Sequence, residues 1–169
     1  MIAEPRRLLG AMAALAAAAL LLALLLQHGW DMRPCAWCVL QRLVCLAIIL
    51  VAGAGSLARV RAAWLGAGLI GVALSAAGLA AALHQHFVAA RSDACGVSFA
   101  EKIIMAAGLH EIAPWLLMPD ASCQEANLPW LGVPFALWGA ALFTLCGAAA
   151  VGVTVTAWRG RRAAGGGRV

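Results

Sequence analysis

The chain has 169 residues, of which 64% are hydrophobic and 11% charged. A soluble domain of this size carries about a quarter charged residues, so the composition excludes an ordinary soluble fold and points to a membrane protein. The formal charge of +5 follows from where the basic residues fall between apolar stretches, and gives no ground for a nucleic-acid partner.

Four apolar stretches, residues 8–26, 39–57, 62–83 and 133–158, are long enough to cross a hydrocarbon core about 30 Å thick, which needs roughly 20 helical residues. They are rich in Ala, Leu and Gly and lack strand-like alternation, so the expected fold class is all-α, a single four-transmembrane-helix bundle. The first stretch follows Arg6 and Arg7 as a signal peptide would. Its apolar run of about 19 residues exceeds the usual 7 to 15 of such a segment, and an uncleaved helix is expected.

Residues 27–38 form a short first loop, QHGWDMRPCAWC. It ends on Cys35 and Cys38 at the mouth of the second helix. Arg42 falls inside the second span, where a guanidinium costs about 2.5 to 3.5 kcal/mol at the centre and therefore calls for a partner or a function. At i, i+4 it shares a helix face with Cys38 and would favour a thiolate there, as would the helix N-terminus. An arginine snorkelling to the headgroups is the alternative. Cys45 in this span and Cys146 in the fourth read as small buried hydrophobes.

Only a few residues, Ala58 to Arg61, connect the second and third spans, which must therefore be antiparallel neighbours. On the third, Gly71, Ser75 and Gly78 share a face suited to close helix packing. The following segment, residues 84–132, is long enough to suggest function and too apolar for disorder. Ser98 and Glu101 form a capping-box pattern that predicts a short helix over residues 98–109, lying either in the membrane interface or on the bundle.

Eight of the 12 Lys and Arg residues lie at one end of these spans: Arg6, Arg7, Arg59, Arg61, Arg159, Arg161, Arg162 and Arg168. By the positive-inside rule that end, with both termini, is cytoplasmic. The opposite loops carry Asp31, Asp93, Glu101, Glu111, Asp120 and Glu125 and face outward. Four cysteines, Cys35, Cys38, Cys95 and Cys123, share that outer side. Two structural disulfides would suit an oxidising compartment, and a four-ligand zinc site is the other use of such thiols. A Cys-x-x-Cys ring, however, constrains too little chain entropy to serve stability, and its spacing is that of redox-active dithiols. No metal is expected.

The stretch QHGWDMRPCAWCVLQR, residues 27–42, resembles the first outer loop and second helix of the DsbB family of disulfide-bond formation proteins. That family shows Gln-His, then Pro-Cys-x-x-Cys, then an Arg four residues on. The resemblance continues through Cys95 and Cys123 to CQEANLPWLGVPFALW at the start of the fourth helix. It implies a thiol oxidase of the bacterial inner membrane with periplasmic redox loops. Cys95 and Cys123 would form the disulfide attacked by a reduced thioredoxin-fold partner of the DsbA type, and Cys35 and Cys38 the pair that reoxidises it. Cys38 and Arg42 would stand beside a bound ubiquinone or menaquinone. DsbA, DsbB and quinone are the established oxidising route of the bacterial periplasm.

The family can also carry a His near the end of the third helix, close to the quinone. Here His84 and His86 flank Gln85, and His84 is the expected residue because it stands nearer the membrane boundary. The paired histidines leave open a haem or metal carrier with cysteine ligands. A vitamin K epoxide reductase type enzyme is a nearer alternative, although its CxxC precedes the last helix of the bundle. A non-catalytic scaffold is a third. The orientation is checked by fusing a periplasm-dependent reporter: activity is expected after Gln124 and none after Arg59 or Arg162. Activity at Arg59 would overturn the orientation and the electron path with it.

Overall fold

Each apolar stretch becomes one long helix in the structure, a computed structural model that describes residues 3–91, 99–106 and 108–165. The four are α1 (Ala3–Trp30), α2 (Ala36–Leu57), α3 (Arg61–Phe87) and, after three short loop helices, α7 (Phe135–Gly165). All four contain segments long and apolar enough to cross a membrane. The helices outrun the apolar windows because polar residues near a membrane boundary keep their helical hydrogen bonds. Gln27 and His28 thus belong to α1, and His84 to His86 to α3.

Side by side in the order α1, α2, α3, α7, the helices close into a ring, with α3 against α7 the most extensive pair. Ala58, in extended conformation, ends α2 while its N–H still reaches back to Ala54 and Gly55. The chain turns at once into α3, as so short a connection requires. Leu9, Met12, Ile48, Trp64, Phe143 and Val153 fill the centre, together with Cys45 and Cys146. Both in-span cysteines are buried in this cluster.

Gly71, Ser75 and Gly78 all lie buried on α3. A Cβ on Gly78 would stand 2.5 Å from the Phe143 ring, so α7 approaches this closely only because the side chain is absent.

At the thiol end, α4 (Phe99–Ala106), α5 (Leu109–Ile112) and α6 (Pro114–Leu117) form a small layer over α2. Ala100, Ile104, Leu116 and Leu117 pack against Ala36 and Val39. The layer packs on the bundle, one of the two placements left open by sequence. Phe99 and Met105 remain exposed on the other side of α4. Ser98, the expected cap, lies outside the described residues. The expected helix over 98–109 ends instead at Ala106, and Gly108 follows at φ 61°, a left-handed conformation that suits a residue without a Cβ. Before α7, β1 (Pro129–Trp130) and β2 (Val133–Pro134) pair in an antiparallel hairpin through Leu131 and Gly132, both at positive φ. Two-residue turns with positive φ at both positions match the twist of a hairpin.

The close approach at Gly78 is testable by thermal unfolding in detergent. Gly78→Ala should destabilise the protein by about 1–3 kcal/mol through overpacking against Phe143. Gly66→Ala, where a Cβ meets nothing within 4 Å, should be neutral or slightly stabilising.

Candidate active site

Two short segments meet over the N-terminus of α2. Pro34 offers its carbonyl to the N–H groups of Asp120 (2.9 Å) and Ala121 (3.3 Å), tying the second loop to the first. Cys35 follows as the N-cap of α2, extended at φ −85°, ψ 173°, with no side-chain capping bond. Its thiol is 1% exposed. One turn on, half-buried Cys38 brings its sulfur to 3.4 Å from that of Cys35, the proximity that an i, i+3 pair on a first helical turn produces.

Cys123 arrives from the second loop. Its neighbours cap one another: the Ser122 N–H donates to the Glu125 carboxylate (2.9 Å), and the Glu125 N–H donates to the Ser122 hydroxyl (3.2 Å). This reciprocal pair closes a tight turn around Cys123. The Ser122 donors also hold the Glu125 carboxyl below its usual range.

Cys35, Cys38 and Cys123 are free thiols. Cys35 donates to Cys38 and stands close enough to Cys123 for each thiol to shift the titration of the other. The bond from Cys35 holds Cys123 below the ordinary thiol value, against the opposing effect of burial. Cys35 is pushed up to about 12, first by its bond to Cys123 and also by burial. Cys123 is therefore the thiolate-prone member of this contact, and Cys35 the protonated one. Cys95, expected to pair with Cys123, lies outside the described residues.

Below the thiols, a cavity of about 710 Å³ opens between α1, α2 and α7, with Leu22, Leu26, Cys38, Arg42, Gln85 and Trp138 among its walls. Its size and apolar lining suit a small organic ligand. Arg42 is 6% exposed. Its Nη1 donates to Gln27 Oε1 (2.6 Å) on α1 and to the Leu116 carbonyl (2.9 Å) on α6. Gln27 in turn donates to the Trp115 carbonyl at 3.3 Å. The guanidinium is thus held inside the protein, and the snorkelling alternative does not describe it.

His84 is not brought to the cavity. It is exposed on α3 and lies against Trp37, ring centroids 4.4 Å apart. Fully buried Gln85 occupies the place expected of it, donating from Nε2 to the Cys38 sulfur (3.1 Å) and accepting from Gln41 Nε2 (2.6 Å). His86 contacts Asn127 at 3.2 Å, and Asn127 Oδ1 accepts the Ala136 N–H that opens α7. Sequence reasoning missed Gln85, although a signal existed. Positions 71, 75, 78, 82 and 85 alternate by four and three and form one inward face of α3.

The family of disulfide bond formation proteins DsbB matches residues 5–153 of this chain. The chain belongs to the DsbB family. A disulfide bond formation protein B from Herminiimonas arsenicoxydans is 32% identical over 133 residues, covering 77% of this chain and 84% of the relative. One from a Polaromonas species is 30% identical over 140 residues, covering 80% and 82%. One from Paracidovorax citrulli is 27% identical over 146 residues, covering 85% and 83%. Membership of the DsbB family makes this a membrane protein of disulfide bond formation, with the oxidoreductase activity that forming disulfides implies.

The thiol contact gives a pH-dependent expectation for the fully reduced protein. A lowered Cys123 carries more thiolate at neutral pH and should react with maleimide well before Cys35. Cys35→Ala should move the Cys123 labelling profile to higher pH, because the donor that stabilises its thiolate is gone. Site-resolved mass spectrometry reads both, and equal labelling of Cys35 and Cys123 at pH 7 would contradict the assignment.

Proposed function

We propose that this protein reoxidises a periplasmic dithiol protein of the DsbA type and delivers the electrons to a membrane quinone, ubiquinone or menaquinone. The observation that carries this reading is the position of Cys35. Its sulfur lies 3.4 Å from that of Cys38 at the cavity, and the Pro34 carbonyl before it holds Asp120 and Ala121, just ahead of Cys123, so one thiol stands between a second-loop cysteine and a membrane-side one. The membrane is the bacterial inner membrane, with the thiol end periplasmic.

In the reaction, a thiolate of the reduced partner attacks Cys95 in a Cys95–Cys123 disulfide. A mixed disulfide forms and Cys123 leaves as a thiolate, the state its surroundings favour. The partner's second thiol resolves the mixed bond, and the partner leaves oxidised by two electrons. Cys123 then attacks the Cys35 sulfur of a Cys35–Cys38 disulfide. A Cys35–Cys123 bond forms, the Cys35–Cys38 bond breaks, and its electron pair goes to Cys38. The Cys95 thiolate then attacks Cys123, the Cys95–Cys123 bond reforms, Cys35 leaves as a thiolate, and both electrons rest on the Cys35 and Cys38 pair.

Cys38 and Arg42 both line the cavity, whose apolar walls and single buried cation fit a quinone ring with a polar oxygen. Arg42, Cys38 and the facing residues of α1 and α7 would hold the head group. When bound, the quinone supplies a sink for two electrons and two protons. Arg42 contributes fixed positive charge beside the sulfur, and the apolar walls exclude water that would screen it.

Anaerobic mixing of the purified protein with quinone and a reduced DsbA-like dithiol protein, followed by quinone absorbance, tests electron direction and acceptor together. Cys35→Ser, Cys38→Ser, Cys95→Ser and Cys123→Ser should each abolish multiple turnover, whereas Cys45→Ser and Cys146→Ser should retain it. Arg42→Met should raise the KM for quinone about tenfold or more, as removal of a buried, hydrogen-bonded charge does. Arg42→Lys should recover part of that loss, since it restores charge without the planar fork. Equal KM values in all three proteins would remove Arg42 from the site.

A further inference from the structure

We infer that Gln85 is a positioning residue for Cys38, placed to donate to its sulfur as that sulfur gains negative charge, with Gln41 fixing the orientation of its amide. This assignment rests on the reading of Cys38 as the thiol released when Cys123 attacks Cys35.

The geometry spans three helices. Gln85 on α3 is 0% exposed, and its Nε2 donates to Cys38 on α2 at 3.1 Å. Gln41, also on α2, occupies the other end of that amide by donating from Nε2 to Gln85 Oε1 at 2.6 Å. With Oε1 engaged, the donor end of Gln85 faces the sulfur. Gly139 on α7 leaves room for this arrangement: a Cβ there would stand 2.5 Å from Gln41 Oε1.

Packing alone does not call for such a pair. A buried amide and a half-buried one carry a desolvation penalty that apolar residues of the same shape avoid, so the helices could close as well around Leu or Met. The chemistry of the acceptor supplies the reason. A protonated thiol accepts hydrogen bonds weakly, whereas a thiolate accepts a short, charge-assisted one. The Gln85 bond therefore strengthens as the Cys35–Cys38 bond breaks and its electron pair settles on Cys38. An interaction stronger in the product of a step than in its ground state drives that step forward. Arg42 acts alongside at longer range, since its Nη1 bonds run to Gln27 and Leu116.

The test uses the full chain in detergent, reduced and free of quinone, and follows alkylation of Cys38 by iodoacetamide against pH with site-resolved mass spectrometry. Gln85→Met and Gln85→Leu substitute an apolar side chain of similar size and remove the donor. Both should shift the profile to higher pH and slow alkylation about tenfold near neutral pH, the loss of one hydrogen bond to a charged group. The high-pH plateau, where every molecule is thiolate, should not change. Gln41→Met should slow the reaction about two- to threefold by freeing the Gln85 amide. An unmoved profile in both Gln85 variants, or a parallel fall of profile and plateau, would reduce Gln85 to a packing residue. Because quinone is absent, the result stands apart from the acceptor. A shifted profile in a protein that reduces no quinone would keep the Gln85 assignment and remove only the proposed electron sink.

Discussion

A full positive charge inside an apolar bundle sets the terms for everything near the thiols. Left alone at membrane depth, the guanidinium of Arg42 would cost several kcal/mol. Here Gln27 of α1 and the Leu116 carbonyl of α6 accept from its Nη1. These bonds link a membrane helix to the loop layer through the cation itself. The same arrangement keeps α6 over α2 and leaves the charge one turn from Cys38. Stability and chemistry thus depend on the same contacts.

The second loop is held by several weak ties and no covalent one among the described residues. Two amides meet the Pro34 carbonyl, Asn127 joins His86 to the start of α7, and the Ser122–Glu125 pair shapes the turn around Cys123. Each is a polar contact at the edge of the membrane region, where water can compete for it. Local opening of a segment held by such contacts costs far less than disturbing the helices.

Much of this was legible in the sequence. Membrane helices announce themselves through hydropathy, and a charge within one of them, as at Arg42, stands out for the same reason. The Cys35-x-x-Cys38 pair was legible because an i, i+3 spacing on a helix start is local geometry. The contact between Cys35 and Cys123 was not, since it depends on how an irregular loop folds across the bundle. The hairpin from Pro129 to Pro134 escaped because its turn uses Leu131, a residue that rarely adopts positive φ. The capping-box pattern occurs twice, at Ser98–Glu101 and at Ser122–Glu125. The second, which encloses a cysteine, shows the reciprocal bonds, whereas Ser98 lies outside the described residues. His84 was favoured over its neighbours by depth alone. A helix shows its inward face by periodicity, and that face ends on Gln85.

The two amides on the Pro34 carbonyl also act as a ruler. Proline has no N–H to return, so this pairing cannot extend into a longer ladder that might slide. A slip by one residue would displace Cys123 by about 3.3 Å. Disulfides form only when the Cα atoms lie within about 4.4–6.8 Å of each other, a window narrower than that step. One carbonyl oxygen thereby holds the second loop, three residues before Cys123, in register with the residue before Cys35.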